Sequence, residues 1–209
     1  NSTIGHGLGA TPKFIIVKCI SATQSWGTYS PSFVSASEPR VMYLNQTGSY
    51  ANDTNVWGTS AAFNNNTFTV GDWNGSNQSS SNFIAYCFAN VPSFSKFGLY
   101  TGNGSSNGPF VYTGFKPAFV MVKKSAGTGN WFMKDTARDP GNPAESTLAA
   151  NSASSAAGWG TSDSLDLLSN GFKMRDDTAN INTNGDTYIY VSFAENPFVT
   201  STDNNSIPA

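Results

Sequence analysis

The chain has 209 residues, of which 11% are charged and 38% hydrophobic, and its formal net charge is −2. No stretch approaches the roughly 20 apolar residues of a membrane-spanning helix, and no basic stripe offers the positive surface that nucleic-acid binding needs. Membrane insertion and nucleic-acid binding are therefore not expected.

Taken in chain order, runs of aromatic and β-branched residues predict strands separated by polar turns rich in Asn, Ser and Gly. The longer predicted strands are 14–20, 83–88, 119–122 and 188–193, and the shorter ones are 26–29, 68–70, 131–133 and 172–174. Asn184-Gly185, between 180–182 and Tyr188-Ile189, predicts a two-residue hairpin turn. Segment 144–157 fits helical turns and a loop equally well.

The chain repeats itself at an offset of 105 residues. Segment 9–18 matches 114–123, and segment 84–92 matches 189–197, with smaller offsets in between. Because the anchors keep their order, we predict an all-β fold of two tandem β-sandwich or jelly-roll-like units related by internal duplication. The predicted boundaries are 1–95 and 96–200, followed by a C-terminal tail, 201–209.

The first repeat lacks one predicted strand. Segment 97–104 precedes the second repeat and has the pattern of an opening strand, whereas the same distance before the first repeat falls ahead of residue 1. We infer that upstream sequence has been removed or that another segment supplies this strand.

Two cysteines, Cys19 and Cys87, each lie in an apolar run. Two reduced cysteines packed as small hydrophobic side chains fit this pattern, and so does a disulfide between neighbouring strands.

Four segments together carry a resemblance to a known family: 7–12, 96–105, 112–120 and 188–198. They resemble a tandem-repeated β-rich domain of unknown function, found in tail fibres and other virion proteins of marine phages, notably those of cyanobacteria. The resemblance implies a protein at the virion surface, outside the cell, in contact with other virion proteins. It implies no catalytic residues, and by analogy it favours a homo-oligomer, most simply a trimer.

Few residues suit catalysis, so we expect no enzyme and no cofactor. His6 is the single histidine and has no acidic neighbour to orient it. The aspartates weighed as a glycosidase pair are Asp135, Asp139, Asp163, Asp166, Asp176 and Asp177.

A loop near the C-terminus places oxygen-bearing side chains at alternate positions, which is typical of calcium loops. These weak candidates for a metal site are Asp176, Asn180, Asn182 and Asn184. A hairpin turn accounts for the same residues, so no metal site is expected.

Tryptophans are the main candidates for ligand contacts. Trp26 and Trp131 recur in both repeats and are predicted to lie in the core. Trp57 and Trp159 also recur, in polar loops, where a core plug and a surface platform are both open. Trp73 has no tryptophan counterpart, since Asp177 takes its place.

A tryptophan that the shared fold does not need is a candidate for stacking on a sugar. Trp73, with Asp72 and Asn74 beside it, therefore heads the predicted ligand-binding residues, which also include Trp57 and Trp159. A hydrophobic plug under the loop is the alternative reading of Trp73.

The first functional hypothesis is a phage tail-fibre or appendage domain that attaches to host-surface glycan. The second is a capsid or tail decoration or cement protein with a purely structural role. The third is a polysaccharide-degrading tailspike, and a bacterial surface adhesin also remains open. Few charges and many strand edges indicate edges paired with other subunits, hence a homo-oligomer.

Overall fold

The computed structural model describes residues 1–33, 40–59, 61–159 and 161–197. The chain divides into two compact units, Asn1–Ala89 and Asn90–Ala209. Strands dominate both units, which confirms the predicted all-β class. The internal duplication stays a prediction, and the predicted tail 201–209 lies outside the described residues.

The first unit is built from two sheets. Its elements are β1 (Ser2–Gly5), β2 (Phe14–Cys19), β3 (Gly27–Tyr29), β4 (Arg40–Tyr43), β5 (Ala51–Asn52), α1 (Thr54–Trp57), β6 (Thr67–Val70), α2 (Asn74–Asn77) and β7 (Phe83–Phe88). One sheet has the antiparallel order β5-β4-β3-β2-β7, and the other pairs β1 with β6.

The second unit has the same kind of arrangement. Its elements are β8 (Ser95–Thr101), β9 (Phe110–Tyr112), β10 (Pro117–Lys124), β11 (Phe132–Asp135), β12 (Leu148–Ala149), a 3₁₀ helix (Ala156–Trp159), β13 (Leu165–Leu168), β14 (Gly171–Met174) and β15 (Thr187–Ala194). The sheet orders are β12-β11-β10-β15-β8 and β13-β14-β9.

The core of the second unit lies between its two sheets. Val120 and Tyr188 of the larger sheet belong to the same buried cluster as Leu165 and Phe172 of the smaller one. Tyr100 of β8 joins this cluster and donates from its hydroxyl to the Ile181 carbonyl at 2.7 Å. Burial of each large side chain stabilises the unit by about 1.5–3 kcal/mol, so this shared interior is what holds the two sheets together.

Every longer predicted strand is present, because consecutive β-forming residues end at clear turn residues. The predicted opening strand of the second repeat is β8. In the ambiguous segment 144–157, Ala144 bridges Leu165, β12 follows, and a 3₁₀ helix begins at Ala156.

The predicted turn at Asn184-Gly185 is present, since the Asp186 N–H donates to the Thr183 carbonyl at 3.2 Å, but the predicted hairpin is wrong. Gly185 has a positive φ of 79° but Asn184 does not, and residues 180–182 do not form a strand. The reason is that Ile181 and Asn182 turn inward and are both buried, while β15 pairs with β8 and β10 instead.

The predicted core position is confirmed for Trp131, which is fully buried. It is wrong for Trp26, which is only half-buried and lies under the Lys18 ammonium at 5.8 Å. Its ring lines an open cavity together with Ile84 and Tyr86.

The two cysteines are free thiols. They lie on the neighbouring strands β2 and β7 but not opposite each other, since Cys19 faces Phe83 and Cys87 faces Ile15. Burial raises the pKa of the Cys87 thiol to about 11.

No helix within the described part of the chain has the length and apolar character needed to cross a membrane.

Candidate functional site around Trp73

Trp73 lies between β6 and α2, where backbone hydrogen bonds anchor it on both sides. Its N–H donates to the Asn55 carbonyl at 2.9 Å, and its carbonyl accepts from the N–H groups of Ser76 and Asn77, both at 2.9 Å. The corresponding carbonyl in the second unit, which accepts from two following N–H groups, belongs to Thr178.

Two glycines leave the space that the indole of Trp73 occupies. A Cβ on Gly75 would lie 2.1 Å from Cη2 of the indole, and one on Gly27 would lie 3.3 Å from Cζ3. The ring of Tyr43 lies beside it, with centroids 5.4 Å apart and planes tilted by 51°. The indole is half-buried, so it is held in one orientation while part of it faces solvent.

Polar residues flank Trp73 along the chain. Asp72 and Asn74, on either side of Trp73, are exposed. The pKa of Tyr43 is raised, first by burial and then by the negative charge of Asp53. We call Tyr43, Asp72, Trp73 and Asn74 the Trp73 surface.

Trp57, the second predicted ligand contact, is a core residue. Its side chain is 0% exposed and meets the rings of Tyr29 and Phe63 edge to face, with centroids 5.9 and 5.8 Å apart. A ring enclosed in this way offers no face for stacking on a ligand. Of the two interpretations of Trp57, core plug and surface platform, its burial supports the core plug.

Trp159, the third predicted tryptophan, packs on the core of the second unit. Its ring meets Phe132 edge to face at 5.2 Å, and it is partly buried. The indole nitrogens of Trp57 and Trp159 are both buried without a hydrogen-bond partner. These two tryptophans therefore share a packing role.

The weak metal candidates lie in a loop whose hydrogen-bond network is centred on Asn182, which is fully buried. Its side-chain nitrogen donates to Asn103 Oδ1 at 3.1 Å, to the Ser105 carbonyl at 2.7 Å and to the Asp176 carbonyl at 2.9 Å. Its oxygen accepts from the Asn103 N–H at 2.8 Å. The amide is thus occupied on both sides by the protein.

The other oxygens of this loop are also turned to protein donors or to solvent. The Asp176 carboxylate accepts from the N–H groups of Asp163 and Thr178, both at 3.2 Å. Asn180 donates to Asp163 at 3.2 Å, and Asn184 is exposed. Within the described ranges, no group of three or more His, Cys, Asp or Glu is placed to hold a metal ion.

Residues weighed for catalysis make structural contacts. The His6 ring accepts from the Leu8 N–H at 3.1 Å, and its other nitrogen lies 2.9 Å from the Asn64 carbonyl. If Nδ1 accepts, Nε2 carries the proton and donates to that carbonyl. The ring is thus used to fix the backbone.

The aspartates weighed as a glycosidase pair are likewise engaged. Asp135 pairs with Arg138 and Asp166 with Arg175, both at 2.6 Å, and Asp139 accepts from the Ser146 N–H and hydroxyl. Asp163 is buried and accepts from the Thr178 hydroxyl. Burial raises the pKa of Asp163, against the lowering effect of its hydrogen bonds and of Lys134. Asp177 is exposed.

Sequence reasoning missed Tyr43 and the two glycines. Tyr43 is thirty residues from Trp73 along the chain and reaches it because β4 pairs with β3, which carries Gly27. No local sequence pattern predicts such a contact. The spacing of Trp73 and Gly75 was a usable signal, since glycine beside a large ring often allows close packing.

Residues 1–197 match a family described as domain of unknown function DUF7483. The chain belongs to this family. No curated protein and no solved structure matches it. The family description assigns no activity, so function has to be argued from the Trp73 surface and from the strands around it.

Proposed function

We propose that the chain is a virion-surface module, in a tail fibre or similar appendage, that attaches to host-surface glycan through the Trp73 surface without chemical conversion of the glycan. The supporting observation is the geometry of Trp73 itself. Its indole is held by Gly27, Gly75 and Tyr43, yet part of it faces solvent. An aromatic ring that is already ordered loses little conformational entropy when a sugar stacks on it.

Polar groups beside the ring supply the second requirement of sugar recognition. Asp72 and Asn74 present carboxylate and amide groups at exposed positions. Such groups accept and donate hydrogen bonds to sugar hydroxyls and fix the orientation of a ligand. The Trp73 surface therefore combines a stacking platform with hydrogen-bonding groups of both kinds.

The location and assembly in this proposal rest on the sequence resemblance to phage fibre domains. That resemblance supports a place at the virion surface, contact with other virion proteins, and a homo-oligomer such as a trimer. Each of these follows from analogy between sequences. The test below therefore uses the intact oligomer.

A structural role in the particle is the second candidate. One observation favours it: β7 exposes the apolar side chains of Ile84 and Tyr86, which are 38% and 44% accessible. Apolar residues along a strand edge are typical of surfaces that other proteins cover.

The experiment is a glycan-array screen of the intact protein together with two variants. Trp73→Ala removes the platform, and Trp26→Ala is the matched control because Trp26 is also a half-buried tryptophan of the first unit. We expect binding that is lost in Trp73→Ala and kept in Trp26→Ala. Asp72→Ala and Asn74→Ala, at exposed positions, should weaken binding without disturbing the fold.

Binding that survives Trp73→Ala and the two polar substitutions would contradict the proposed surface. Absence of binding to every glycan would favour the structural role instead.

A further inference from the structure

The larger sheets of the two units differ at one edge. In the second unit β10 pairs with β15, and β15 pairs on its other side with β8. In the first unit β2 pairs with β7, and no strand among the described residues pairs with the other side of β7. The order β4-β3-β2-β7 thus parallels β12-β11-β10-β15, with the position of β8 left open.

Burial follows this difference. Residues Tyr188, Ile189, Tyr190, Val191 and Ser192 of β15 are all buried. The corresponding stretch of β7 exposes Ile84, Ala85 and Tyr86. The covering of β15 by β8 is the local difference between the two strands.

The backbone of β7 is oriented to receive a strand. The Ile20 N–H donates to the Asn82 carbonyl at 2.9 Å, and hydrogen-bonded pairs alternate along an antiparallel ladder. The backbone groups of Phe83, Ala85 and Cys87 therefore point away from β2. In β15 the equivalent groups face β8, since the Thr187 carbonyl accepts from Ser125 on the β10 side.

A cavity of about 380 Å³ lies against β7, and its lining includes Gly5, His6, Phe68 and Ala85. In the second unit the side chain of Tyr100 of β8 is buried in the core between the two sheets. Its ring stacks on Tyr188 with centroids 5.1 Å apart and meets Phe172 edge to face at 6.2 Å. Phe172 lies on β14 and Phe68 on β6, a strand of the smaller sheet in each unit.

The strands β15 and β7 also differ in the size of one residue at the edge. In the second unit Tyr190 lies opposite Gly98, and a Cβ on Gly98 would lie 3.0 Å from the Tyr190 ring. The position that corresponds to Tyr190 is Ala85, a small residue on the cavity wall. A strand beside β7 therefore has room for a bulky side chain where β8 needs glycine.

We propose that β7 is a docking edge for an extended strand from a partner polypeptide, which adds antiparallel to β7 in the register of β8 on β15 and places a bulky apolar residue opposite Ala85. Strand addition of this kind gains affinity from main-chain hydrogen bonds and specificity from pockets for alternate side chains. Here the open groups of Phe83, Ala85 and Cys87 supply the first and the cavity supplies the second.

A second copy of this chain fits the edge less well than such a partner. Its opening-type strand, β8, is already paired with β15 over seven residues. Strand β8 also carries Gly98 at the position that would lie opposite Ala85, where the cavity has room for a large side chain. The occupant is thus a strand that resembles β8 in alternation but differs from it at that one residue.

The test uses the full chain and synthetic peptides with the sequence of residues 94–103. Three peptides are compared: the unchanged sequence, Gly98→Leu and Gly98→Pro. The leucine fills the cavity, whereas the proline removes an N–H that points to the accepting strand. Affinity is measured by calorimetry, and the site is located by hydrogen exchange at the amides of Phe83, Ala85 and Cys87.

We expect the Gly98→Leu peptide to bind at least about tenfold more tightly than the unchanged peptide, because a leucine side chain leaves water. The Gly98→Pro peptide should bind more weakly than either. The three amides should exchange rapidly in the chain alone and slowly in the complex. In an Ala85→Tyr chain the preference should reverse, since the pair then repeats Tyr190 and Gly98.

Three results would overturn the proposal. One is failure of all peptides to bind at concentrations up to about 1 mM. Another is binding without protection of the three amides or without a preference for leucine. The third is protection of these amides in the chain alone together with a dimer in light scattering, which would assign the edge to a second copy. The comparison of peptides on the unaltered chain stands even if Ala85→Tyr fails to fold.

Discussion

Asn182→Ala should destabilise the second unit more than any other substitution in its loop. The Asn182 amide is fully buried; its two N–H hydrogens are shared among acceptors on Asn103, Ser105 and Asp176, and its oxygen accepts from the Asn103 N–H. A buried group left without its partner costs about 1–3 kcal/mol. Asn103 is exposed and regains water, so we discount its two bonds. The expected loss is about 2–4 kcal/mol of the free energy of unfolding, a large share of the 5–15 kcal/mol typical of a domain.

Asn180→Ala is the matched control, since Asn180 lies in the same loop, is only half-buried, and donates from its side chain to Asp163 at 3.2 Å. Its expected cost is about 0.5–1.5 kcal/mol. Urea unfolding monitored by hydrogen exchange of second-unit amides measures both variants and avoids averaging over the two units.

Calcium and EDTA complete this experiment. Because Asn182 and Asp176 are turned to protein donors and acceptors, neither addition should change the stability of the unaltered chain. An Asn182→Ala cost no larger than that of Asn180→Ala, or a clear loss of stability in EDTA, would refute the structural reading of this loop.

Three further predictions concern other parts of the chain. Gly75→Ala should displace the Trp73 indole, because the added Cβ would lie 2.1 Å from the ring, and should shift its fluorescence and abolish glycan binding while circular dichroism stays unchanged. The pKa of Lys134 is lowered by burial to about 8 from 10.5, so between these values the unfolded chain binds a proton that the folded chain does not, and stability should rise with pH. Urea titrations at pH 7.5 and 9.5 should show this rise, and Lys134→Met should reduce it. Cys19 and Cys87 should both react with a thiol reagent in urea but slowly in the folded chain at pH 7.5, since Cys19 is buried and burial raises the pKa of Cys87 to about 11; a disulfide would leave neither to react.

The strands could be predicted because their signals are local. Phe14–Cys19 and Phe83–Phe88 are continuous runs of β-forming residues, and the structure has both as strands. The Asn184-Gly185 hairpin failed for a non-local reason. The turn forms, but no strand precedes it, because Ile181 and Asn182 are buried by contacts with β8 and with the loop that follows it.

Only part of the candidate site could be predicted from the sequence. Trp73 could be singled out because its counterpart in the second repeat is not tryptophan. Trp57 could not be assigned to the core from the sequence, because its burial depends on contacts with Tyr29 and Phe63, which lie outside its own helix. Tyr43 could not be found, because its contact with Trp73 arises from the pairing of β3 with β4.

The most direct test of the central claim is nuclear magnetic resonance of the indole N–H groups during titration with a glycan. The chain has five tryptophans, so five indole signals are expected, and Trp→Phe variants assign them. Our account predicts that the Trp73 signal moves with glycan concentration while the signals of the packed Trp57 and Trp159 stay in place. A glycan that binds and shifts other indole signals but leaves that of Trp73 unchanged would contradict the account.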